Sequence, residues 1–255
     1  MKTSILITAR LKSTRLPKKV LKPILGRPML EHLVERLRKA ERPDSIILCT
    51  SPVAEDDPLA EWAERLDIGL YRGDPDDVLL RLTRAAQEFG ADIVVSCTAD
   101  NPFVDPEYID CLVDFHLSGG YDYSRSEGLP FGTFSYGLTR HAMERACKIK
   151  AAKDTEVWGG YFTETGEFAC GILRITDPAV AWPELRLTVD TPEDFELVTR
   201  IFEELSSDGG IFSLREIVGL CRRRPDLLRI NQHVVQRAPE PIVLKEAAGQ
   251  ADECR

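Results

Sequence analysis

Apolar clusters alternate with amphipathic stretches along the first 120 residues of the chain. The clusters predict buried strands, and apolar residues spaced three and four apart predict helices that cover those strands. The predicted strands are residues 4–8, 45–50, 69–71 and 92–96, and the predicted helices are 29–40, 55–66, 76–89 and 106–117. This alternation is typical of an α/β fold with a mostly parallel central sheet flanked by helices.

The alternation of apolar and amphipathic segments changes after Tyr121, where the predicted strands become shorter. The strands predicted here are 134–138, 169–175 and 185–189, and the helices are 140–148, 154–162, 192–205 and 213–223. We interpret residues 1–237 as a single domain with an inserted subregion at about 120–175. Residues 238–255 contain two prolines and an Ala-Ala-Gly run, which predict a flexible C-terminal tail.

The composition excludes several classes of protein. No apolar run in the 255 residues approaches the roughly 20 that span a bilayer. The seven cysteines include no C-x-x-C pair, which argues against a zinc site or a disulfide framework and predicts a cytoplasmic protein. A net charge of −9 argues against general binding to nucleic acid or to anionic membranes.

The charge is unevenly distributed along the chain. Eight of the 33 basic residues, and none of the 42 acidic ones, lie within the first 27 residues. Crowded cations without a local counter-ion indicate a site for an anion.

Most of these cations lie in the loop that follows the first predicted strand. In open α/β sheets, ligands bind at the carboxyl ends of the strands, so this loop is placed to bind phosphate. Arg10 and Arg15 offer bidentate contacts to phosphate oxygens, Lys19 offers a compact charge, and Ser13 adds a hydroxyl. The loop is not a P-loop, because it lacks the G-x-x-x-x-G-K-S/T pattern. The alternative interpretation is a solvated basic loop.

Two aspartates each follow a predicted strand. Asp100 comes after the strand at 92–96, and Asp190 comes after the strand at 185–189. Mg²⁺ in proteins needs one or two carboxylates together with phosphate oxygens. Each aspartate also has a structural alternative, since Asp100 lies in a turn before Pro102 and Asp190 lies near the N-terminus of a helix.

The basic loop resembles a known family motif. The residues that carry the resemblance are Ala9-Arg10, Ser13-Thr14-Arg15-Leu16-Pro17, Lys19, Leu21, Gly26 and Pro28-Met29-Leu30. They are similar to the first motif of the sugar-acid cytidylyltransferases, which include the CMP-Kdo and CMP-sialate synthetases, and especially to the spore-coat polysaccharide branch. The resemblance implies a nucleotide-diphospho-sugar transferase (Rossmann-like) fold in which this loop wraps the triphosphate of CTP.

Carried over residue by residue, the resemblance implies specific roles. It implies triphosphate contacts for Arg10, Ser13, Arg15 and Lys19, main-chain contacts to the base for Ala9 and Leu11, a base or ribose contact for Arg72, and magnesium binding by Asp100 and Asp190. A salt bridge from Arg72 to a nearby aspartate is the alternative for that residue. Members of this branch commonly have glycine where this chain has Lys12 and Lys18.

The inserted subregion departs from the family pattern. Relatives usually carry Pro-Asp-Gly with a glutamate four residues later, whereas this chain has Pro130-Phe131-Gly132 and then Tyr136. We expect the acceptor to bind here, with Arg125 and Tyr136 as candidate contacts. A surface arginine without a ligand is the alternative for Arg125.

Together these features predict a magnesium-dependent cytidylyltransferase. The predicted reaction transfers CMP from CTP to a small acidic sugar-type acceptor, similar to a nonulosonic acid, and releases pyrophosphate for surface polysaccharide synthesis. The predicted catalytic residues are Arg10, Arg15, Lys19 and Asp100. The resemblance also implies a homodimer. The alternatives are a nucleotide-binding protein without catalysis and a glycosyltransferase, although the latter would carry Asp-x-Asp where this chain has Ala99-Asp100-Asn101.

Overall fold

The computed structural model describes residues 1–155, 157–206, 211–236 and 241–245. Its centre is a seven-stranded sheet in the order β5-β4-β1-β6-β8-β7-β9, and a separate antiparallel pair is formed by β2 and β3. The strands are β1 (Thr3–Thr8), β2 (Pro23–Ile24), β3 (Arg27–Pro28), β4 (Ser45–Thr50), β5 (Gly69–Arg72), β6 (Ile93–Thr98), β7 (Tyr123–Glu127), β8 (Tyr136–Thr139) and β9 (Cys170–Arg174). The predicted mostly parallel α/β sheet is confirmed, because only the pairings of β8 with β6 and β7 are antiparallel within it.

Helices cover both faces of this sheet. They are α1 (Met29–Leu37), α2 (Asp57–Arg65), α3 (Val78–Glu88), α4 (Pro106–Gly119), α5 (Arg140–Ile149), α6 (Gly160–Thr163), α7 (Pro192–Leu205), α8 (Leu214–Arg223) and α9 (Pro225–Leu228). Successive side chains of β1 lie on opposite faces of the sheet, so the core has two parts. Ile5 and Ile7 pack with α1 and α7 on one face, and Leu6 packs with α3 and α5 on the other.

Local sequence signals set several helix ends. Helix α7 begins with a reciprocal capping box, in which the Thr191 side chain accepts from the backbone of Asp194 and the Asp194 side chain accepts from the backbone of Thr191. Pro192 then occupies the first turn, where no backbone N–H is needed. Helix α4 begins with Asp105 as its N-cap and ends at Gly120 in the left-handed conformation.

Two predictions for the second half of the chain were wrong, and one strand was missed. Among the described residues of the predicted helix 154–162, only Gly160–Thr163 are helical, as α6, while Thr155 makes hydrogen bonds to Asp77 and Leu79; Glu156 lies outside the described residues. Residues 185–189 form a single parallel bridge, from Arg186 to Phe131, and not a full strand. Strand β7 was not predicted at all. Of the predicted tail at 238–255, only residues 241–245 are described, and the Val243 carbonyl accepts from the backbone of Ala151 at 2.8 Å.

The parallel strands bring their carboxyl ends to one edge of the sheet. β1, β4, β5 and β6 all end there. Because β8 is antiparallel to β6, its first residue, Tyr136, lies beside Ser96 near the same edge. Arg125 in β7 pairs with Tyr136. This edge therefore brings together residues from distant parts of the sequence.

Candidate functional site

The basic loop leaves β1 at this edge and is anchored to the protein by its apolar residues. Leu11 and Leu16 are buried at 1% and 6% exposure, and the backbone N–H of Leu11 donates to Oδ1 of Asp56 at 2.7 Å. The N–H of Ala9 donates to the Cys49 carbonyl at 3.2 Å, and the hydroxyl of Ser13 accepts from the N–H of Leu16 at 3.4 Å. These contacts fix the loop backbone while its charged side chains extend from it.

Lys19 lies at the centre of the site. Its Nζ is 2.8 Å from Oδ2 of Asp100 and 2.8 Å from Oδ1 of Asp190. Burial by itself would lower the pKa of Lys19, but the charges and hydrogen bonds of the two carboxylates outweigh burial and raise that pKa. Lys19 is therefore a charged ammonium that joins the two predicted magnesium ligands.

The turns that carry the two aspartates are joined through their backbones. The carbonyl of Asp100 accepts from the N–H of Val189 at 2.8 Å, and the hydroxyl of Thr98 donates to Oδ1 of Asp100 at 2.5 Å. Asp190, one residue beyond Val189, is thereby held opposite Asp100. The structure thus brings together two aspartates that are ninety residues apart in the sequence.

Asp190 is surrounded by positive charge. Besides Lys19, Oδ1 of Asp190 is 3.1 Å from Nη2 of Arg15, and Oδ2 accepts from Nη2 of Arg186 at 3.0 Å. Burial favours a higher pKa for Asp190, but Lys19, Arg15 and Arg186 together lower it. The carboxylate is therefore ionised at neutral pH.

Arg186 belongs to a buried network that supports Asp190. Its Nε and Nη2 donate to the two oxygens of Asp194 at 2.8 and 2.9 Å, and Asp194 is fully buried. Asp194 also accepts from the backbone N–H of Asp190 at 3.0 Å and from Nδ2 of Asn231 at 2.9 Å. Our sequence reasoning missed this role of Arg186. The available signal was a charged residue within the apolar run Leu185–Val189.

Two of the predicted nucleotide contacts are engaged within the protein. Arg10 donates to the carbonyl of Pro75 and lies 3.3 Å from Oδ1 of Asp76. Nη2 of Arg72 lies 2.6 Å from Oδ1 of Asp57, and its Nε donates to the Ser51 carbonyl at 2.9 Å. Arg72 therefore makes the salt bridge named as its alternative and fixes the 51–57 segment.

The predicted acceptor residues, Arg125 and Tyr136, lie side by side near the edge of the sheet where the parallel strands end. Arg125 pairs with Glu127 at 2.6 Å, and the other oxygen of Glu127 accepts from Arg174 at 2.7 Å. The ring of Tyr136 packs edge-on against that of Trp158, with centroids 5.5 Å apart, and burial raises the pKa of Tyr136. Arg125 and Arg174 share the one carboxylate of Glu127, so these three groups carry one net positive charge.

A tight contact connects this acceptor region to the Asp190 loop. The N–H of Phe131 donates to the Leu185 carbonyl at 2.8 Å, and the Phe131 carbonyl accepts from Leu187 at 2.7 Å. Gly132 has a φ of +93°, and a Cβ there would lie 2.5 Å from the backbone nitrogen of Thr188. Only glycine fits this position, so the turn at 130–132 can lie directly against the loop that carries Asp190.

The carboxylates fit a particular kind of metal site. Within the described part of the chain, no group of three or more His, Cys, Asp or Glu side chains could hold a metal ion. Asp100 and Asp190 are only two carboxylates, which is the number that Mg²⁺ uses when phosphate and water complete its coordination. The donor set therefore suits a metal that arrives with a phosphate ligand. Among the same described residues, no helix is long and apolar enough to cross a membrane.

Comparisons with known proteins show the family to which the chain is similar. A family model described as cytidylyltransferase matches residues 4–164. An uncharacterized protein of Methanocaldococcus jannaschii is 32% identical over 243 residues, which cover 93% of this chain and 98% of that protein. The spore coat polysaccharide biosynthesis protein SpsF of Bacillus subtilis is 28% identical over 228 residues, covering 87% of this chain and 94% of SpsF.

A solved structure confirms the predicted fold class. The cytidylyltransferase of Leptospira borgpetersenii superposes with a TM-score of 0.81 at 25% identity, covering 93% of this chain and all of the other. The resemblance that we drew from the basic loop is also confirmed by the family model and by the similarity to SpsF.

Proposed function

The chain belongs to the cytidylyltransferase family, and we propose that it transfers CMP from CTP to a small acidic sugar-type acceptor with release of pyrophosphate. The observation that supports this proposal most strongly is the convergence of Lys19, Asp100 and Asp190 beside the basic loop. That arrangement offers cations for a triphosphate and carboxylates for a metal within one site.

The basic loop is the proposed triphosphate site. Arg15 and Lys19 already contact a carboxylate oxygen of Asp190, and their side chains have the length and charge to contact phosphate oxygens instead. We assign Arg10 and Ser13 to the same triphosphate. Because the N–H groups of Ala9 and Leu11 are engaged, these two residues would meet the base through carbonyl oxygens, of which that of Leu11 also accepts from the N–H of Lys18 at 3.4 Å. Arg72 would shape the base site by fixing residues 51–57.

We propose Asp100 and Asp190 as the ligands that this chain supplies to Mg²⁺. A bound Mg²⁺ would polarise the phosphate oxygens and stabilise the leaving group. Asp190 is fixed for this role by Arg186, and Asp100 is fixed by the hydroxyl of Thr98. The protein contributes position and charge, which are the main requirements of phosphoryl-type transfer.

The proposed chemical step is an in-line displacement at the α-phosphorus of CTP. An acceptor oxygen forms a new P–O bond, the bond to the β-phosphate bridging oxygen breaks, and the acceptor proton passes to solvent. Arg10, Arg15 and Lys19 take up the negative charge that develops on pyrophosphate. The step needs no covalent enzyme intermediate.

The acceptor would bind at the edge formed by Arg125 and Tyr136. Arg125 and Arg174 share a single carboxylate, that of Glu127, so this edge can pair with an acidic group on a sugar. The similarity to SpsF supports a role in polysaccharide precursor synthesis. A cytoplasmic location stays a prediction that rests on the cysteine pattern, and a homodimer stays one that rests on the family resemblance.

Replacement of Asp100 by Asn tests the metal assignment. Asn keeps the shape of the side chain and removes its charge, so we expect Asp100→Asn to lower turnover by at least about a hundredfold while the protein stays folded. Asp114→Asn, on an exposed carboxylate paired with Arg42, is the matched control and should keep full activity. Near-normal turnover of Asp100→Asn, measured as pyrophosphate release, would refute the role of Asp100.

A further inference from the structure

The ammonium of Lys19 occupies the position between the two proposed metal ligands. Its Nζ is 2.8 Å from one oxygen of Asp100 and 2.8 Å from one oxygen of Asp190. A magnesium ion lies about 2.0–2.1 Å from its oxygen ligands. The same two oxygens cannot contact an ammonium and coordinate a divalent cation between them, because the two positive charges would be crowded into one gap. Lys19 and the metal therefore compete for these oxygens.

The remaining oxygens of both carboxylates also accept hydrogen bonds. Oδ2 of Asp190 accepts from Arg186, which is 10% exposed and is held in turn by Asp194. Oδ1 of Asp100 accepts from the hydroxyl of Thr98 at 2.5 Å. Arg186 cannot leave without breaking the buried network, so a metal that bridges Oδ2 of Asp100 and Oδ1 of Asp190 gains access only when Lys19 moves.

Lys19 can move without unfolding its surroundings. Its ammonium is carried by a flexible four-carbon chain, and the adjacent backbone is anchored by the buried side chains of Leu16 and Val20. Arg15 shares Oδ1 of Asp190 with Lys19 and is 36% exposed, so it can also turn away. A triphosphate beside the loop would give both cations a new anionic partner.

The charges explain why a metal alone should bind poorly. Three cations, Lys19, Arg15 and Arg186, are matched by three carboxylates, Asp100, Asp190 and Asp194, so the charge of the two proposed metal ligands is already neutralised before a metal arrives. We propose that Lys19 is a built-in counter-ion that keeps divalent metal off Asp100 and Asp190 until a nucleoside triphosphate draws it away. This inference rests on the proposed function, and it predicts that metal and nucleotide bind cooperatively.

Metal binding without nucleotide tests the proposal directly. Mn²⁺ alone would be titrated into wild type, Lys19→Met, Lys19→Arg and Lys18→Met, with free Mn²⁺ followed by its paramagnetic resonance signal. We expect Lys19→Met to bind Mn²⁺ at least about tenfold more tightly than wild type, because a positive charge beside the ligands is gone. Lys19→Arg keeps that charge, and Lys18→Met removes a neighbouring exposed one, so both should bind as weakly as wild type. Equal Mn²⁺ affinity of Lys19→Met and wild type would overturn the proposal.

A second measurement is made first on wild type, where it does not depend on how the variants fold. The affinity of wild type for α,β-methylene CTP would be measured with and without Mn²⁺. We expect Mn²⁺ to strengthen this binding by more than about tenfold in wild type, and by less in a folded Lys19→Met. No effect of Mn²⁺ on wild type would overturn the role of Lys19 alone. No binding of the analogue under either condition would overturn the proposed function as well.

Discussion

Replacement of Asp194 by Ala should destabilise the protein through the loop that carries Asp190. The Asp194 carboxylate is fully buried and accepts hydrogen bonds from the backbone of Asp190, from Arg186 and from Asn231. Removing it leaves the guanidinium of Arg186, whose side chain is only 10% exposed, without its bidentate partner. Asp194→Ala therefore leaves the largely buried positive charge of Arg186 with fewer partners.

The size of the effect follows from the partners that remain. Breaking a buried ion pair by removing one partner costs about 3–5 kcal/mol. Arg186 keeps its contacts with Asp190 and Gln236, so the lower end of that range, about 3 kcal/mol, is expected. For a chain of this size, this loss corresponds to a fall in Tm of roughly 6–12 °C.

Urea unfolding at pH 7, followed by circular dichroism, measures this loss. Asp226→Ala is the matched control, because Asp226 also pairs with an arginine, Arg224, but is 58% exposed. The control should keep the wild-type midpoint. A loss below about 1 kcal/mol for Asp194→Ala would refute the view that this network holds the Asp190 loop.

The difference in stability between wild type and Asp194→Ala should depend on pH in a defined way. Burial favours a higher pKa for Asp194, but the hydrogen bonds from Arg186, Asn231 and Asp190 lower it below the ordinary aspartate value. A depressed folded pKa gives stabilisation that is complete above the unfolded pKa, about 4, and that disappears as the pH falls through the folded pKa. The stability gap between wild type and Asp194→Ala should stay constant from pH 5 to 8 and narrow only below about pH 4.

Two further predictions concern the sheet edge and the acceptor region. Burial raises the pKa of Cys97 to about 12, whereas Cys111 is exposed. Iodoacetamide at pH 8 should therefore alkylate Cys111 and spare Cys97 in the native protein. Equal modification of the two cysteines, measured by mass spectrometry, would contradict the packing of β6. Gly132→Ala should lower the urea midpoint more than Gly166→Ala, because a Cβ at Gly132 meets the nitrogen of Thr188 whereas one at Gly166 meets nothing within 4 Å. Equal midpoints of these two variants would show that the 130–132 turn is not held against the Asp190 loop.

The first half of the fold could be predicted because its residues follow simple periodicities. The strand predicted at 45–50 has the same bounds as β4, since its apolar run is buried on both faces of the sheet. Parallel strands also explain why Asp100 was placed correctly at the carboxyl edge: that position depends only on the end of β6.

The second half could not be predicted in the same way because tertiary contacts determine it. Strand β7 reads Tyr-Ser-Arg-Ser-Glu and lacks apolar alternation, yet Tyr123 and Ser124 are buried against neighbouring elements. In the predicted helix 154–162, the hydroxyl of Thr155 instead donates to Asp77 at 2.9 Å and accepts from the N–H of Leu79. Because these partners of Thr155 lie nearly eighty residues away in the sequence, no pattern in the residues around Thr155 could predict the contacts.

The site was predicted in its residue types but not in its connections. The sequence indicates cations in the basic loop and two aspartates, but it does not show that Lys19 joins those aspartates in the structure. The role of Arg186 depends on the turn between Arg186 and Asp194, and Nδ2 of Asn231 joins the two ends of this turn by donating to the Arg186 carbonyl and to Oδ1 of Asp194. Spacing alone cannot give such a contact.

Pyrophosphate release is the measurement that tests the proposed activity most directly. The protein would be incubated with CTP, UTP, ATP or GTP, each with Mg²⁺ and a panel of acidic sugars, sugar phosphates and phosphonates. We predict release with CTP and one class of acceptor, lost on addition of EDTA and in Asp100→Asn. Absence of release, together with no binding of CTP in the presence of Mg²⁺, would contradict the assignment of this site as a cytidylyltransferase centre.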